Sequence, residues 1–200
     1  MLPKRSDSWM FHHPAVQWTS LQAEAAGVPL FTAETSGVKE QELKQLQTSL
    51  SEIRGTYGID AVITGAIASE YQKSRVDRIC DELGLRSIAP LWQKDPLLLI
   101  REQLSMGFCF IIVACMAMGL DQSWLGRQID KNAVKELELI KTRYGVNPAF
   151  EGGEAETFVT DSPIFRRKIR IVEAKPRWTG DSGHLQILRA ELVEKQLASD

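Results

Sequence analysis

From Phe108 to Met118 the chain runs apolar without a single charge, and no other stretch constrains the fold as tightly. Eleven residues are too few to cross a bilayer, which takes about 20 in a helix, so the run must be buried in protein. A strand that is apolar at successive positions, rather than at alternate ones, has to be covered on both faces. Phe108–Cys115 is therefore expected to be a central strand.

The chain before it sets a rhythm. Pro14 opens a short helix over Ala15–Ala26, which Gly27 stops, and Val28–Thr32 reads as a brief strand. Leu43, Leu46, Leu50 and Ile53 form one stripe of a helix over Lys39–Tyr57, with Gly55 and Gly58 near its end. Asp60–Ile67 reads as a buried strand. Ser69 suits the cap of a helix carrying Val76, Ile79, Cys80 and Leu83, with Gly84 just beyond. Leu85–Ala89 is a short strand, Pro90-Leu-Trp92 a turn, and Pro96 opens a helix to about Met106. Alternating strands and helices at this spacing predict a parallel, helix-covered sheet, with ligand sites beyond the carboxyl ends of its strands.

After Gly119 the rhythm changes. Leu120–Arg127 reads as a loop with an exposed Trp124, and a helix is expected from about Lys131 to Tyr144. Beyond it, Ile169 and Ile171 alternate with Lys168 and Arg170, and Leu188, Ala190 and Leu192 with Arg189 and Glu191, the pattern of half-buried antiparallel strands. The break near Met118–Asp121 is the expected boundary between a first domain, 1–118, and a second, 119–200.

Charge is nearly balanced, 24 basic against 26 acidic residues, which gives nucleic acid or an acidic membrane no global field to follow. Cys80, Cys109 and Cys115 lack metal-ligand spacing; an odd count without a secretory signal points to a reducing, cytoplasmic setting. His12-His13 has no third ligand at suitable spacing, so no metal site is expected.

Two stretches carry candidate chemistry. Glu151–Phe165 holds Gly152-Gly153, three glutamates and Asp161 before it passes Pro163. If Glu154–Thr160 is extended, Glu154 and Glu156 share a face about 7 Å apart. Such a pair suits a divalent cation, an ammonium or a basic substrate; a solvated edge strand explains it as well. Gly65–Arg75 joins a strand end to a helix start, where backbone N–H groups and the helix dipole favour an anion and Arg75 lies two turns along. The same spacing describes an ordinary βα turn.

Taken in order, the motifs resemble one family. They are Ser8-Trp-Met-Phe-His12, Leu21-Gln-Ala23 with Gly27-Val-Pro-Leu30, Gly65-Ala-Ile-Ala-Ser69 with Tyr71-Gln72 and Arg75, Pro90-Leu-Trp92, Gly119-Leu-Asp121 with Ser123-Trp-Leu-Gly-Arg127, and Glu151-Gly-Gly-Glu154 with Glu156-Thr157, Asp161, Pro163 and Phe165. The set is similar to the diphthine–ammonia ligases, a branch of the N-type ATP pyrophosphatases. The resemblance implies an α/β fold with a Rossmann-like parallel sheet covered by helices and a smaller C-terminal α+β domain. It implies ATP and Mg²⁺, elongation factor 2 in its diphthine form as protein substrate, and ammonium; it leaves homo-oligomerisation open. It assigns His12, Gly65, Ser69, Tyr71, Gln72 and Arg75 to the nucleotide. It places Glu151–Thr157 and Asp161 on the facing wall of the second domain; from their charge, Glu151, Glu154 and Glu156 are the expected catalytic residues, with Trp124, Gly152, Gly153, Thr157 and Asp161 expected at the substrate.

One departure stands out. The family opens with a strand, a Ser-Gly-Gly-Lys-Asp-Ser loop that cradles pyrophosphate, a helix and a second strand. In this chain the Ser-Gly pairs are Ser36-Gly37 and Ser182-Gly183, neither followed by Gly-Lys. His13 replaces a usual hydroxyl residue and Ser162 a usual glycine. The expectation is an incomplete ligase, truncated at its start and a poor catalyst alone; the alternative is a non-catalytic binding or assembly module.

Overall fold

The computed structural model describes residues 1–3, 15–38 and 40–195. In chain order the elements are β1 (Leu2–Pro3), a 3-10 turn at Val16–Trp18 leading into α1 (Thr19–Ala26), β2 (Glu34–Thr35), α2 (Gln41–Tyr57), β3 (Ala61–Ile63), α3 (Glu70–Glu82), β4 (Arg86–Ile88), α4 (Pro96–Ser105), β5 (Cys109–Cys115), a second 3-10 turn at Gln122–Trp124, α5 (Lys131–Tyr144), β6 (Ala155–Asp161), β7 (Arg167–Thr179) and β8 (Ser182–Glu194). They form two compact units, Met1–His13 with Phe31–Lys94, and Pro14–Leu30 with Asp95–Asp200.

The first unit is α/β, with parallel strands and helices. Ala61, Val62 and Ile63 of β3 pair in parallel with Arg86, Ser87 and Ile88 of β4, and β1 pairs in parallel with β2. Leu43 and Leu50 of α2 bury against Ile79 of α3, with Leu46, Val62, Tyr71, Val76 and Leu83 around them. That is the stripe the helical spacing foretells. Ser69 caps α3 by accepting a hydrogen bond from the Gln72 N–H at 3.3 Å. Both strands are shorter than their apolar runs, and Ile63 is 72% exposed rather than buried. Val28–Thr32 forms no strand: Pro29 has no N–H to give a ladder, and Val28, Leu30 and Phe31 stay exposed.

The second unit is built on an antiparallel sheet in the order β6-β5-β8-β7. Its interior strand β5 presents Phe110, Ile112 and Cys115 to one core, shared with Ala133, Val134 and Leu137 of α5 and Ile100 of α4. Ile111 and Val113 enter a second core with Ala25 of α1, Phe158, Ile169 and Ile187. This corrects the expected place of the strand. β5 is central and covered on both faces, yet it pairs antiparallel with β6 and β8, so the compact division falls between Lys94 and Asp95. An unbroken apolar run reports two-sided burial and carries no information on strand direction.

The long β7–β8 hairpin holds a second departure. Ile171 pairs with Ala190 and Ala174 with Ile187, with register shifts around Glu173. The irregularity changes the phase of alternation, so Leu185 and Ile187 are buried while Leu188 turns outward at 38% exposure. Ile112→Ala, at a position with 0% exposure, should therefore lower the unfolding free energy by about 2–5 kcal/mol. Leu188→Ala should cost under about 1 kcal/mol, both read by urea denaturation.

Burial raises the thiol of Cys115 to about 12, against about 8.5 for a free thiol. Native Cys115 should resist alkylation at pH 8. Because the folded value is the higher one, its contribution is complete below about pH 8.5 and is lost as pH rises towards 12, by at most about 1.4 kcal/mol per pH unit. Replacing it with alanine should flatten that alkaline decline in urea midpoints; an unchanged slope would refute the assignment.

Candidate functional site

The acidic glycine stretch forms a closed turn at one end of the antiparallel sheet. α5 ends at Gly145, and Val146 and Phe150 anchor the next loop in the core. Within it, Phe150 N–H donates to Asn147 C=O at 2.8 Å and Gly153 N–H to Phe150 C=O at 3.2 Å. The Glu154 carboxylate then ties the turn shut. Its Oε1 accepts from Asn147 N–H at 3.0 Å and its Oε2 from Gly152 N–H at 2.8 Å. Each glycine has its own reason. A Cβ on Gly152 would lie 2.7 Å from Glu154 Oε1, and Gly153 adopts φ +80°.

The sheet register shows what this turn adjoins. Met116 N–H donates to Glu154 C=O at 2.8 Å, Cys115 pairs with Ala155 on one side and Gly183 on the other, and Gly183 pairs with Trp178. One sheet end thus gathers the Glu151–Glu154 turn, the loop after β5 and the tip of the β7–β8 hairpin. Glu156 stands opposite Ala114, half-buried, and Thr157 is exposed opposite Ile112. Asp161 lies at the other end of β6, about 20 Å away along the strand, paired with Lys195 at 2.7 Å and accepting from Ser162 N–H at 2.8 Å. It does not join the glutamates.

Trp124 corrects another expectation. It is 4% exposed in the core shared by β5 and α5, and the Arg127 guanidinium lies 4.3 Å from its ring centroid. Asp121 and the 3-10 turn that it caps draw the indole inward, so it offers a substrate no open face. Arg127 in turn pairs with Glu136 at 2.5 Å.

In the first unit, Gly65 is exposed in the loop after β3, and Ser69, Tyr71, Gln72 and Arg75 come along the first turns of α3. Arg75 carries the only long positive side chain among these predicted residues, and Glu40 holds it, at 2.6 Å and 3.0 Å to one carboxylate oxygen. The guanidinium also lies 3.6 Å from the Tyr71 ring centroid, and the Tyr71 hydroxyl donates to Glu40 at 3.3 Å. Arg75 lowers the pKa of Glu40, so the pair persists well into the acid range. Glu40 holds this position at φ +66°, strained for a side chain of its kind. His12 lies outside the described residues. Among the described residues, no three His, Cys, Asp or Glu side chains gather as a metal site, and no helix is long and apolar enough to cross a membrane.

These features define a two-unit α/β protein: parallel strands with a capped, arginine-bearing helix in one unit, and a glutamate-closed glycine turn on an antiparallel sheet in the other. Residues 1–87 match the family described as Diphthamide synthase N-terminal domain, and residues 95–193 the Diphthamide synthase C-terminal domain. The chain belongs to this family. It is 36% identical to a diphthine–ammonia ligase of Danio rerio over 82% of this chain and 69% of that protein. It is 33% identical to one of Homo sapiens over 82% and 66%, and 28% identical to one of Saccharomyces cerevisiae over 80% and 27%. The chain thus spans about two thirds of the vertebrate relatives and about a quarter of the yeast one.

Residues that sequence reasoning passes over also sit at the sheet end: Arg143, Tyr144, Trp178 and Asp181 beside the Gly119-Leu-Asp121 motif. The motif itself is the available signal. Glu40 is likewise invisible to motif matching, and it yields a test of the anion reading of α3. Glu40→Gln should raise affinity for tripolyphosphate about two- to fivefold at low salt, the range of an exposed ion pair. Calorimetry should show no such gain in an Arg75→Gln background. Equal affinity in wild type and Glu40→Gln would remove Arg75 from any phosphate site.

Proposed function

We propose that this chain serves an ATP-dependent amide ligase that converts diphthine to diphthamide on elongation factor 2. The observation that carries the reading is the glutamate-closed turn at the sheet end, in a chain that matches both diphthamide synthase domains in order. A carboxylate is a poor electrophile. ATP, as co-substrate, transfers its adenylyl group to the diphthine carboxylate and releases pyrophosphate; ammonia then attacks the acyl carbon and AMP leaves with the C–O bond electrons.

In this reading Ser69, Gln72 and Arg75 meet the nucleotide phosphates through the start of α3, with Arg75 leaving Glu40 for the ligand. Gly65 and Tyr71 border the same turn. Glu151 and Glu156 stabilise the ammonium that delivers nitrogen, and one of them takes the proton that it gives up. Glu154 is a positioning residue: both of its oxygens hold backbone N–H groups of the turn, which sets Gly152 and Gly153 against the substrate. Mg²⁺ would arrive with the ATP phosphates and needs only one or two carboxylates from a protein; the roles in this scheme are those of the chain's own groups. The setting is cytoplasmic, where thiols such as Cys80 and Cys109 stay reduced.

A second reading has one observation in its favour. Arg75 is engaged by an internal carboxylate, as in a module that binds its protein partner without turnover. The chain fused behind the loop-bearing N-terminal segment of a family member, with ATP, ammonium and diphthine-bearing elongation factor 2, separates the two. The ligase reading expects pyrophosphate release and amide formed in equal amount by mass spectrometry, with Glu156→Gln lowering kcat by about 10²-fold, the scale of one acid–base group. Binding of the elongation factor without pyrophosphate release would establish the module instead, and no binding at all would overturn both.

A further inference from the structure

The loop after β5, the end of α5 and the β7–β8 hairpin tip border an open pocket of about 480 Å³, lined by Gly119, Asp121, Arg143, Tyr144, Trp178 and Asp181 among others. Its volume is that of a small-molecule site. All of its lining lies in the second unit, and the ligase reading above leaves these side chains unused.

Two aromatic rings are seated there by glycines. Gly119 stands at φ +92°, and a Cβ on it would come within 2.6 Å of the Tyr144 ring. A Cβ on Gly183 would come within 2.3 Å of the Trp178 ring. The Trp178 indole N–H donates to Gly180 C=O at 3.0 Å, which fixes the ring's rotation at the hairpin tip. The polar tip of the indole is thereby satisfied within the hairpin, and the residue lines the pocket.

The charges divide into two signs. Asp121 accepts from the Ser123 N–H and hydroxyl, and the hydroxyl bond chiefly holds its carboxyl below the usual range, so it stays ionised at neutral pH. Asp181 brings a second carboxylate and forms no ion pair among the described residues. Arg143 stacks 5.1 Å from the Tyr144 centroid and likewise forms no ion pair among the described residues. Two carboxylates beside an indole suit an organic cation, above all a weakly hydrated quaternary ammonium. A guanidinium held against a tyrosine, with donors to spare, suits a carboxylate. The ligand that satisfies both signs is a zwitterion.

We propose that this pocket binds a betaine-like group, its quaternary ammonium against Trp178, Asp121 and Asp181 and its carboxylate on Arg143. The further identification of that group as the head of diphthine, which carries a trimethylammonium and a carboxylate, rests on the ligase reading; the pocket's own preference does not.

The test uses the chain with three small probes: glycine betaine, which has both charges; choline, which has the cation alone; and 3,3-dimethylbutanoate, which keeps the shape and the carboxylate without the cation. Glycine betaine should shift the Trp178 indole N–H resonance and bind about tenfold more tightly than either of the others. Trp178→Leu should abolish that preference over 3,3-dimethylbutanoate. Arg143→Gln, a change on the helix surface, should bring glycine betaine down to the level of choline and leave choline unchanged. Glycine betaine binding no better than 3,3-dimethylbutanoate, or indifferent to Arg143→Gln, would overturn the proposal. Betaine selectivity in a chain that forms no amide even when fused behind a loop-bearing N-terminal segment would keep the pocket and sink the ligase reading. Amide formation with an unaltered KM for the diphthine substrate in Arg143→Gln would remove the pocket as the diphthine seat and spare the ligase.

Discussion

The second unit depends on the two-sided burial of β5. Ile112 and Val113, adjacent in sequence, fall into different cores, so the strand cannot shift by one residue without exchanging every contact it makes. That rigidity is what makes the end of the strand useful. Hydrogen bonding continues past Cys115 through Met116 to Glu154, while Gly183 holds the other side. The glutamate turn and the hairpin tip are therefore fixed to the same rigid strand, and side chains placed there keep their separations.

Around that end, backbone geometry decides where glycine stands. Gly119, Gly152 and Gly183 each leave a space that a methyl group would fill, beneath Tyr144, Glu154 and Trp178 respectively. The Gly-Gly pair is easily taken for a flexible hinge. In this fold one member makes room for a carboxylate and the other takes a positive φ, and Glu154 closes both into a turn with defined hydrogen bonds. Flexibility is the opposite of what this sequence achieves.

Much of this is legible in the chain, for reasons that can be named. The helices announce themselves because their cores follow a 3.6-residue period: α2, α3, α4 and α5 begin and end within about two residues of expectation, at Ser69, Pro96 and Gly58 among other signals. Strand partners do not, since β5 looks the same in a parallel or antiparallel sheet once both faces are covered. Trp124 is hidden because a polar neighbourhood, Asp121-Gln-Ser123, reads as exposed loop, whereas Asp121 and Ser123 bond to each other and release the indole to the core. Leu188 is hidden by a bulge that alternation cannot foresee. Asp161 shares a motif with Glu154 yet sits a strand's length away, because neighbours in an extended segment move apart by about 3.3 Å per residue.

The same distinction between motif and geometry bears on what the glutamates do. A group that must gain or lose a proton during turnover needs an oxygen open to its substrate. Glu154 has each oxygen committed to a backbone N–H, at 3.0 Å and 2.8 Å, and protonating it would release the turn it holds. Its chemistry is therefore spent on shape. Removing the carboxylate would let the Asn147–Gly153 loop relax and leave two N–H donors to water, a change in where other groups stand rather than in what reacts. In the proposed reaction Glu151 and Glu156 carry the acid–base work, on either side of the turn residue Glu154. Three acidic residues in a row of six thus divide into one that builds the turn and two to which the proposed reaction gives its acid–base work, a division that their shared charge conceals.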